Sequence, residues 1–140
     1  MSLITDKKFF EILCNDERIT ARVGKNIKNT VSVRSETSIP PIPLILVCYQ
    51  GMTNRYESKD DEFDTSIDDV NIEIVVAHEN REKLGELIHL CRVVIGEYIS
   101  NNPNEDLIPI DYQISASGVS YDPLRPCYLQ SLNYACETRF

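Results

Sequence analysis

Residues 81–101 place the strongest constraint on the fold, because their apolar residues repeat at the spacing of one helix face. The apolar stripe consists of Leu84, Leu87, Ile88, Cys91, Ile95, Tyr98 and Ile99. The opposite side carries Glu82, Glu86, His89 and Glu97. Asn80 is a favourable N-cap residue, and the Asn-Asn-Pro-Asn run at 101–104 ends the pattern. The sequence therefore predicts one long helix over 81–101 with a single buried face.

Several segments have the patterns of β-strands. Residues 44–49 form a continuous apolar run, which is typical of a strand buried on both faces. Residues 70–76, 108–116 and 128–136 alternate apolar with polar or small residues, as half-buried strands do, and residues 30–33 add a short candidate strand. Because only one long helix separates the strands, we expect an α+β fold. It consists of a mostly antiparallel four- to five-stranded sheet with the long helix and short N-terminal helices packed on one face.

The N-terminal region predicts two short helices. Thr5 is a candidate N-cap for the first helix, and Phe9 and Leu13 begin its apolar stripe. Asp16 is a candidate N-cap for the second helix, which ends at Gly24. We expect residues 1–5 to be disordered, and Met1-Ser2-Leu3 is equally consistent with a remnant of cloning.

The composition favours a single soluble domain of intracellular type over residues 1–140. A formal net charge of −8 disfavours direct binding to nucleic acid or to anionic membranes. No apolar run reaches the roughly 20 residues that a transmembrane helix needs, and no secretory signal is visible. The five cysteines are odd in number and lack CxxC spacing, so we expect buried, reduced thiols rather than disulfides or a zinc site.

Histidine chemistry is restricted to two residues, His78 and His89. His78 lies beside Glu79 at the predicted junction between a strand and the long helix, so the two residues form a conceivable acid–base pair for a small hydrolase. The alternative is a solvated loop histidine without a catalytic role. Neither a phosphate-binding loop nor a dinucleotide-binding glycine pattern is present in the sequence.

Residues 50–69 form the most polar segment and are rich in Asp and Glu. We expect a mobile acidic loop there, because such a segment offers few apolar contacts to offset the entropy of ordering. Its acids, Asp60 and Asp61 among them, suggest a Ca²⁺ or Mg²⁺ site as an alternative, but the spacing of an EF-hand loop is missing. We therefore expect no metal and no other cofactor.

Residues 121–126 contain two prolines and connect two alternating segments, which predicts a hairpin with an irregular loop. Tyr121 and Tyr128 flank its tip. The pair is a candidate contact surface, and packing at the rim of the sheet is the alternative.

Taken in order along the chain, these segments resemble the tail-terminator, or tail-completion, group of minor phage tail proteins. The resemblance covers roughly residues 6–137 and rests on patterns of residue type rather than an invariant signature. The matching segments are Asn15–Ile19, Pro43–Val47, Val70–Ala77, Leu84–Ile95 and Tyr121–Tyr134. The proline-rich segment at 40–43 and the long acidic loop depart from the group's pattern.

The resemblance implies a non-enzymatic structural protein of a phage or prophage, located in the virion and the cytoplasm of the bacterial host. Such a protein caps the completed tail tube as a ring, often a hexamer, and contributes to joining the head. Its partners are other copies of itself, the tail tube and head-connector proteins. Since recognition surfaces usually lie in turns that project from a sheet, the expected interface residues are Tyr56, Asp60, Asp61, Tyr121, Arg125 and Tyr128. The alternatives are an adaptor that binds one partner through its sheet edge and a small hydrolase centred on His78.

Overall fold

A computed structural model describes residues 2–30, 42–55 and 67–139. A short 3-10 turn over Ser2–Ile4 leads into three helices: α1 (Thr5–Cys14), α2 (Glu17–Val23) and α3 (Arg81–Asn101). The strands are β1 (Ile27–Thr30), β2 (Leu44–Arg55), β3 (Ile67–His78), β4 (Asp111–Ala116), β5 (Ser120–Asp122) and β6 (Cys127–Arg139).

The strands form one mixed sheet in the order β1-β2-β3-β6-β4, and β5 also pairs with β6. The predicted α+β class is confirmed, but the described residues form a sheet of six strands rather than four or five. One pair, β1 with β2, is parallel. The connection between these two strands, residues 31–43, has the dozen or so residues that a parallel connection requires. The extra strand, β5, lies where the sequence predicts the start of a turn.

The main core lies between the helices and one face of the sheet. Helix α3 packs on β3 and β6 and buries Leu84, Leu87, Ile88, Cys91, Val94 and Ile95, which confirms the predicted stripe. Tyr98 and Ile99 are half-buried at the edge of this core. Helix α1 contributes Phe9, whose ring meets that of Tyr134 edge to face, with centroids 5.2 Å apart.

The opposite face of the sheet carries a second, smaller apolar cluster. Residues 44–48 are all buried, so the prediction of a strand buried on both faces is confirmed. Ile45 and Val47 join the main core. Leu44, Leu46 and Cys48 point the other way, and their cluster is completed by Ala77 and Cys127.

The helix starts agree in part with the predicted caps. The Asp16 carboxylate accepts hydrogen bonds from the backbone N–H groups of Arg18 and Ile19 at the start of α2. Asn80 accepts from the Lys83 N–H at the start of α3, at 3.0 Å. Thr5, however, is the buried first residue of α1 rather than its cap, so the predicted Thr5 cap is wrong. Burial of Thr5 and Phe9 fixes this end of the chain.

The polar segment at 50–69 is only partly a connection. Strand β2 continues to Arg55 and β3 begins at Ile67, so the loop prediction is wrong at both ends of the segment. The two strands pair there with polar residues on their exposed positions, and Asn54 donates to the buried Asp68 at 2.7 Å. The central residues, 56–66, lie outside the described part of the chain.

Candidate interface

The β5–β6 hairpin lies at the edge of the sheet and has local contacts across its strands and in its turn. Tyr121 and Tyr128 are cross-strand partners. Their ring centroids lie 5.1 Å apart, and the angle between the ring planes is 57°. The Asp122 carboxylate accepts a hydrogen bond of 3.0 Å from the Leu124 N–H, and Pro123 fixes its own φ between them. The tip is therefore a pre-ordered turn.

The hairpin tip exposes two large apolar side chains to solvent. Leu124 is 92% exposed and Tyr121 is 54% exposed. Burying such a leucine in a contact contributes about 1.5–3 kcal/mol. A rigid apolar tip can be covered by a partner at little cost in conformational entropy. Arg125 is half-buried at the base of the turn.

Three of the six predicted interface residues thus lie together in this hairpin, namely Tyr121, Arg125 and Tyr128. The other three, Tyr56, Asp60 and Asp61, lie outside the described residues. Leu124, the most exposed large apolar residue of the described chain, is not among the interface residues predicted from the sequence. The sequence pattern indicates its exposure, because a single leucine inside a proline-containing turn has no apolar neighbour at strand spacing with which to be buried.

Strands β4 and β5 follow one another along the same side of β6, and a β-bulge separates them. Ser117 continues the β4 register, since its N–H donates to the Ser131 carbonyl at 2.9 Å. Strand β5 then resumes pairing one residue out of register, so that residues 118–119 lie opposite Gln130 alone. The Ser131 N–H donates to the Ser117 hydroxyl oxygen at 3.0 Å instead of a backbone carbonyl. Such a bulge bends the edge and ends regular pairing.

Strand β4 directs some of its backbone hydrogen-bonding groups toward its outer edge, away from β6. Ser117 turns its N–H toward β6, and backbone direction alternates along a strand, so Gln113 and Ser115 also face β6. Ile114 and Ala116 therefore direct their N–H and C=O groups outward. Within the described ranges no strand pairs with this side of β4. An open edge of this kind is a template for a further strand.

His78 has a structural hydrogen bond at the end of β3. Its Nδ1 accepts a hydrogen bond of 2.9 Å from the Asn80 N–H, at the start of α3. The predicted strand-to-helix junction is confirmed, but the ring is bonded to the backbone rather than free in a loop. Partial burial, aided by the positive charge of Lys83, lowers the pKa of His78, whereas Glu79 raises it. The neutral ring with its proton on Nε2 fits this bond.

The acids at the end of the polar segment do not converge on a common point. Asp68 and Asp69 are adjacent in β3 and therefore point to opposite faces of the sheet. Across residues 2–30, 42–55 and 67–139, no group of three His, Cys, Asp or Glu side chains is placed to hold a metal ion.

All five cysteines are free thiols, and all except the half-buried Cys14 are buried. Burial raises the pKa of Cys91 and of Cys136 to about 12, and that of Cys48 to about 11. The thiolate form, which is the reactive one, is therefore suppressed at these three positions.

A charged groove between α1, α2 and the C-terminal half of α3 is lined by ion pairs. Lys8 bonds the Glu105 carboxylate and donates to the Tyr98 hydroxyl at 3.1 Å. Arg18 bonds Asp16 at 3.0 Å and Glu97 at 2.8 Å. These contacts tie the N-terminal helices to α3, and both cations of the groove already have carboxylate partners.

No model of a known protein family matches the chain. The search of curated proteins likewise gave no match. Within the part of the chain that the structure describes, no helix is long and apolar enough to cross a membrane.

Proposed function

We propose that this chain is a structural protein of a phage or prophage tail, which assembles with copies of itself into a ring that terminates the tail tube. The observation that carries the proposal is the hairpin tip, where Leu124 and Tyr121 are exposed on a turn fixed by Asp122 and Pro123. Tyrosine is enriched among the residues that carry the binding energy of protein interfaces, and a partner that covers this tip would bury the apolar surface of both side chains.

Ring assembly places a requirement on the contacts between subunits. A closed ring is built from heterologous contacts, in which one patch meets a different patch on the neighbour. The hairpin lies at one edge of the sheet, and the strand at the opposite edge of the sheet order is β1. A hairpin that contacts another region of the next subunit meets this requirement. The resemblance over residues 6–137 supplies the tail-terminator role, with the tail tube and head-connector proteins as further partners.

The experiment measures the molar mass of the protein by size-exclusion chromatography with light scattering, alone and after mixing with purified tails. At tens of micromolar we expect a mass several times the 16.0 kDa of one chain. Leu124→Ser removes the apolar anchor without touching the core, so we expect loss of the ring and of tail binding.

Leu3→Ser is the matched control, because Leu3 is also an exposed leucine, at 65%, but lies near the N-terminus. It should leave the ring intact. A monomeric wild type that does not bind tails at these concentrations rules out the terminator role. If Leu124→Ser and Leu3→Ser change the molar mass equally, the hairpin is not part of the interface.

A second candidate function is supported by the open β4 edge: an adaptor that binds an extended segment of one partner protein by strand addition. It predicts a chain that forms no ring and whose Ile114 and Ala116 amides become protected from exchange only when the partner is added. A hydrolase centred on His78 would need the imidazole of this residue to break its hydrogen bond with the Asn80 N–H, or to act as acid or base through Nε2 alone.

A further inference from the structure

The outer edge of β4 is self-complementary, and we infer that two copies of this chain pair there, β4 against β4 in antiparallel register, about a twofold axis at Ile114. This contact is separate from the hairpin and does not depend on the tail role. It rests on the direction of the backbone groups of β4 and on the order of its side chains.

The backbone groups of β4 fit this pairing. Ile114 and Ala116 direct their N–H and C=O groups outward, as Ser117 and its bond to Ser131 require. An antiparallel pair exchanges two hydrogen bonds wherever two outward-facing residues lie opposite each other. Centring the axis on Ile114 places that residue opposite its own copy. The full length of β4, together with Ser117, then overlaps with the second chain.

Side chains on the helix-side face match by size in this register. Tyr112 lies opposite Ala116 of the second copy, so the largest residue of the strand faces one of the smallest. Ile114 meets Ile114, a pairing of β-branched residues that suits sheets. Tyr112 and Ile114 are only half-buried in the single chain, although both pack against the main core. The second copy extends that core across the axis.

The polar face avoids repulsion in the same register. Gln113 lies opposite Ser115 of the second copy, and both side chains are exposed. Asp111 lies opposite Ser117 rather than opposite its own copy, so no two carboxylates of β4 are paired. Like charges directly opposite each other would destabilise the pair of strands. An axis at Ile114 avoids such a contact.

Features at both ends limit the paired segment. The bulge at residues 118–119 bends the edge away immediately after Ser117. At the other end, the outward N–H of Tyr112 already donates to the Asp111 carboxylate at 2.8 Å, so that carboxylate must release it on pairing. The interface is therefore confined to residues 111–117.

Ala116→Pro tests the contact directly. The proline removes an outward N–H and adds ring atoms on the outer edge, whereas the bonds from β4 to β6 stay in place. Ala116→Ser, which keeps the N–H, is the matched control. We expect the wild type and Ala116→Ser to associate through this contact at tens of micromolar, and Ala116→Pro to lose it. Because association itself raises the melting temperature, the fold of Ala116→Pro is compared with that of the parent by circular dichroism at a concentration where both are dissociated.

The background for these measurements is Leu124→Ser, in which the proposed ring contact is absent. There the expected masses are two chains for the parent and for Ala116→Ser, and one chain for Ala116→Pro. With Leu124 intact, Ala116→Pro should keep the ring. The two proposals are separate if Leu124→Ser loses the ring but keeps the dimer, and if Ala116→Pro loses the dimer but keeps the ring. A parent that stays monomeric at about 100 µM, well above the Kd of a micromolar contact, overturns this inference.

A charge exchange tests the register even if the proline variant fails to fold. In Gln113→Glu with Ser115→Glu, each new carboxylate faces another across the axis, so we expect the dimer Kd to rise at least tenfold. In Gln113→Lys with Ser115→Glu, each lysine faces a glutamate, so pairing should return at low salt. Equal Kd values for the two double variants would exclude the proposed register. Concentration-dependent protection of the Ile114 and Ala116 amides from hydrogen exchange should accompany the dimer, and its absence would count against the β4 edge.

Discussion

The Nδ1 atom of His78 accepts a hydrogen bond of 2.9 Å from the backbone N–H of Asn80, the residue that caps α3. Only an unprotonated Nδ1 can accept this bond. Partial burial and the charge of Lys83 both oppose a positive charge on the ring, so the pKa of His78 is lowered. The junction between β3 and α3 is thus built around a neutral histidine.

This bond makes the stability of the fold depend on pH. The unfolded chain binds a proton at His78 around the ordinary pKa of about 6.5, whereas the folded chain binds it only at lower pH. Between these two values the unfolded state holds more protons, so the stability present above about pH 6.5 is lost as the pH falls through that interval. Urea unfolding should therefore give a lower free energy of unfolding at about pH 5.5 than at about pH 7.5.

His78→Gln should remove most of this difference, since glutamine does not titrate. His89→Gln is the control, because His89 is exposed on α3. We also expect His78→Ala to cost about 0.5–1.5 kcal/mol, the value of one hydrogen bond, and to leave assembly intact. A pH dependence that survives His78→Gln would contradict the assignment, and loss of assembly in His78→Ala would give this residue a role outside the junction.

The burial of α3 predicts a large effect for Leu87→Ala. Leu87 is 1% exposed, so truncation leaves a cavity in the main core and should cost about 2–5 kcal/mol. Glu86→Ala, one residue earlier on the exposed face, should change stability by less than about 0.5 kcal/mol. Denaturant unfolding of both variants checks this. A similar loss in the two would mean that α3 packs through a different face.

Helix α3 and the β-bulge at residues 118–119 show which features can be predicted from the sequence and which cannot. The burial of Leu87 follows from its place in a regular apolar stripe, because helical periodicity is a local property. The β-bulge at residues 118–119 is different, since it depends on which residues of β6 lie opposite. A one-residue shift in pairing register is not visible in the sequence of either strand alone. Burial of Asp68 escaped prediction for the same reason, because its amide partner, Asn54, lies on another strand.

The candidate interface shows a similar division. The hairpin that contains Tyr121 and Tyr128 can be predicted because a proline-containing turn between alternating segments is a local signal. The outward direction of the Ile114 and Ala116 backbone groups, by contrast, requires knowing that β4 is the edge strand. Sequence periodicity distinguishes the faces of a strand but not its place in the sheet.

Ser117 substitutes for a backbone acceptor at the bulge, which predicts a measurable cost for Ser117→Ala. Its hydroxyl oxygen accepts the Ser131 N–H at 3.0 Å, and removing it should cost about 0.5–1.5 kcal/mol. Faster hydrogen exchange at the Ser131 amide should accompany the loss. Ser115→Ala, on the exposed face of the same strand, is the control and should stay within about 0.5 kcal/mol. Unchanged exchange at Ser131 would show that the amide has another acceptor.

Two glycines should respond to alanine with opposite signs. Gly51 follows a bulge in β2 and has φ of 122°, a conformation that alanine adopts only with strain, so Gly51→Ala should cost about 1–3 kcal/mol. Gly85 lies inside α3 with open space around it, so Gly85→Ala should raise stability by about 0.5–1 kcal/mol. Thermal and urea unfolding of the two variants measure the difference. Equal effects would show that backbone conformation does not control the Gly51 site.

Deletion of residues 56–66 tests the remaining part of the proposed interface. Arg55 and Ile67 are partners in the β2–β3 pair, so an Asn-Gly turn can close the hairpin between them without changing its register. We expect this variant to keep its fold, with amide protection of residues 70–77 unchanged. If Tyr56, Asp60 and Asp61 take part in the ring, as the sequence predicts, the molar mass should fall from that of the ring to that of the β4-paired dimer. A variant in which only Tyr56, Asp60 and Asp61 are changed to serine separates contact from loop length, and it should give the same mass as the deletion. An intact ring in both variants would confine the ring contact to the β5–β6 hairpin and whatever that hairpin meets on the neighbouring subunit.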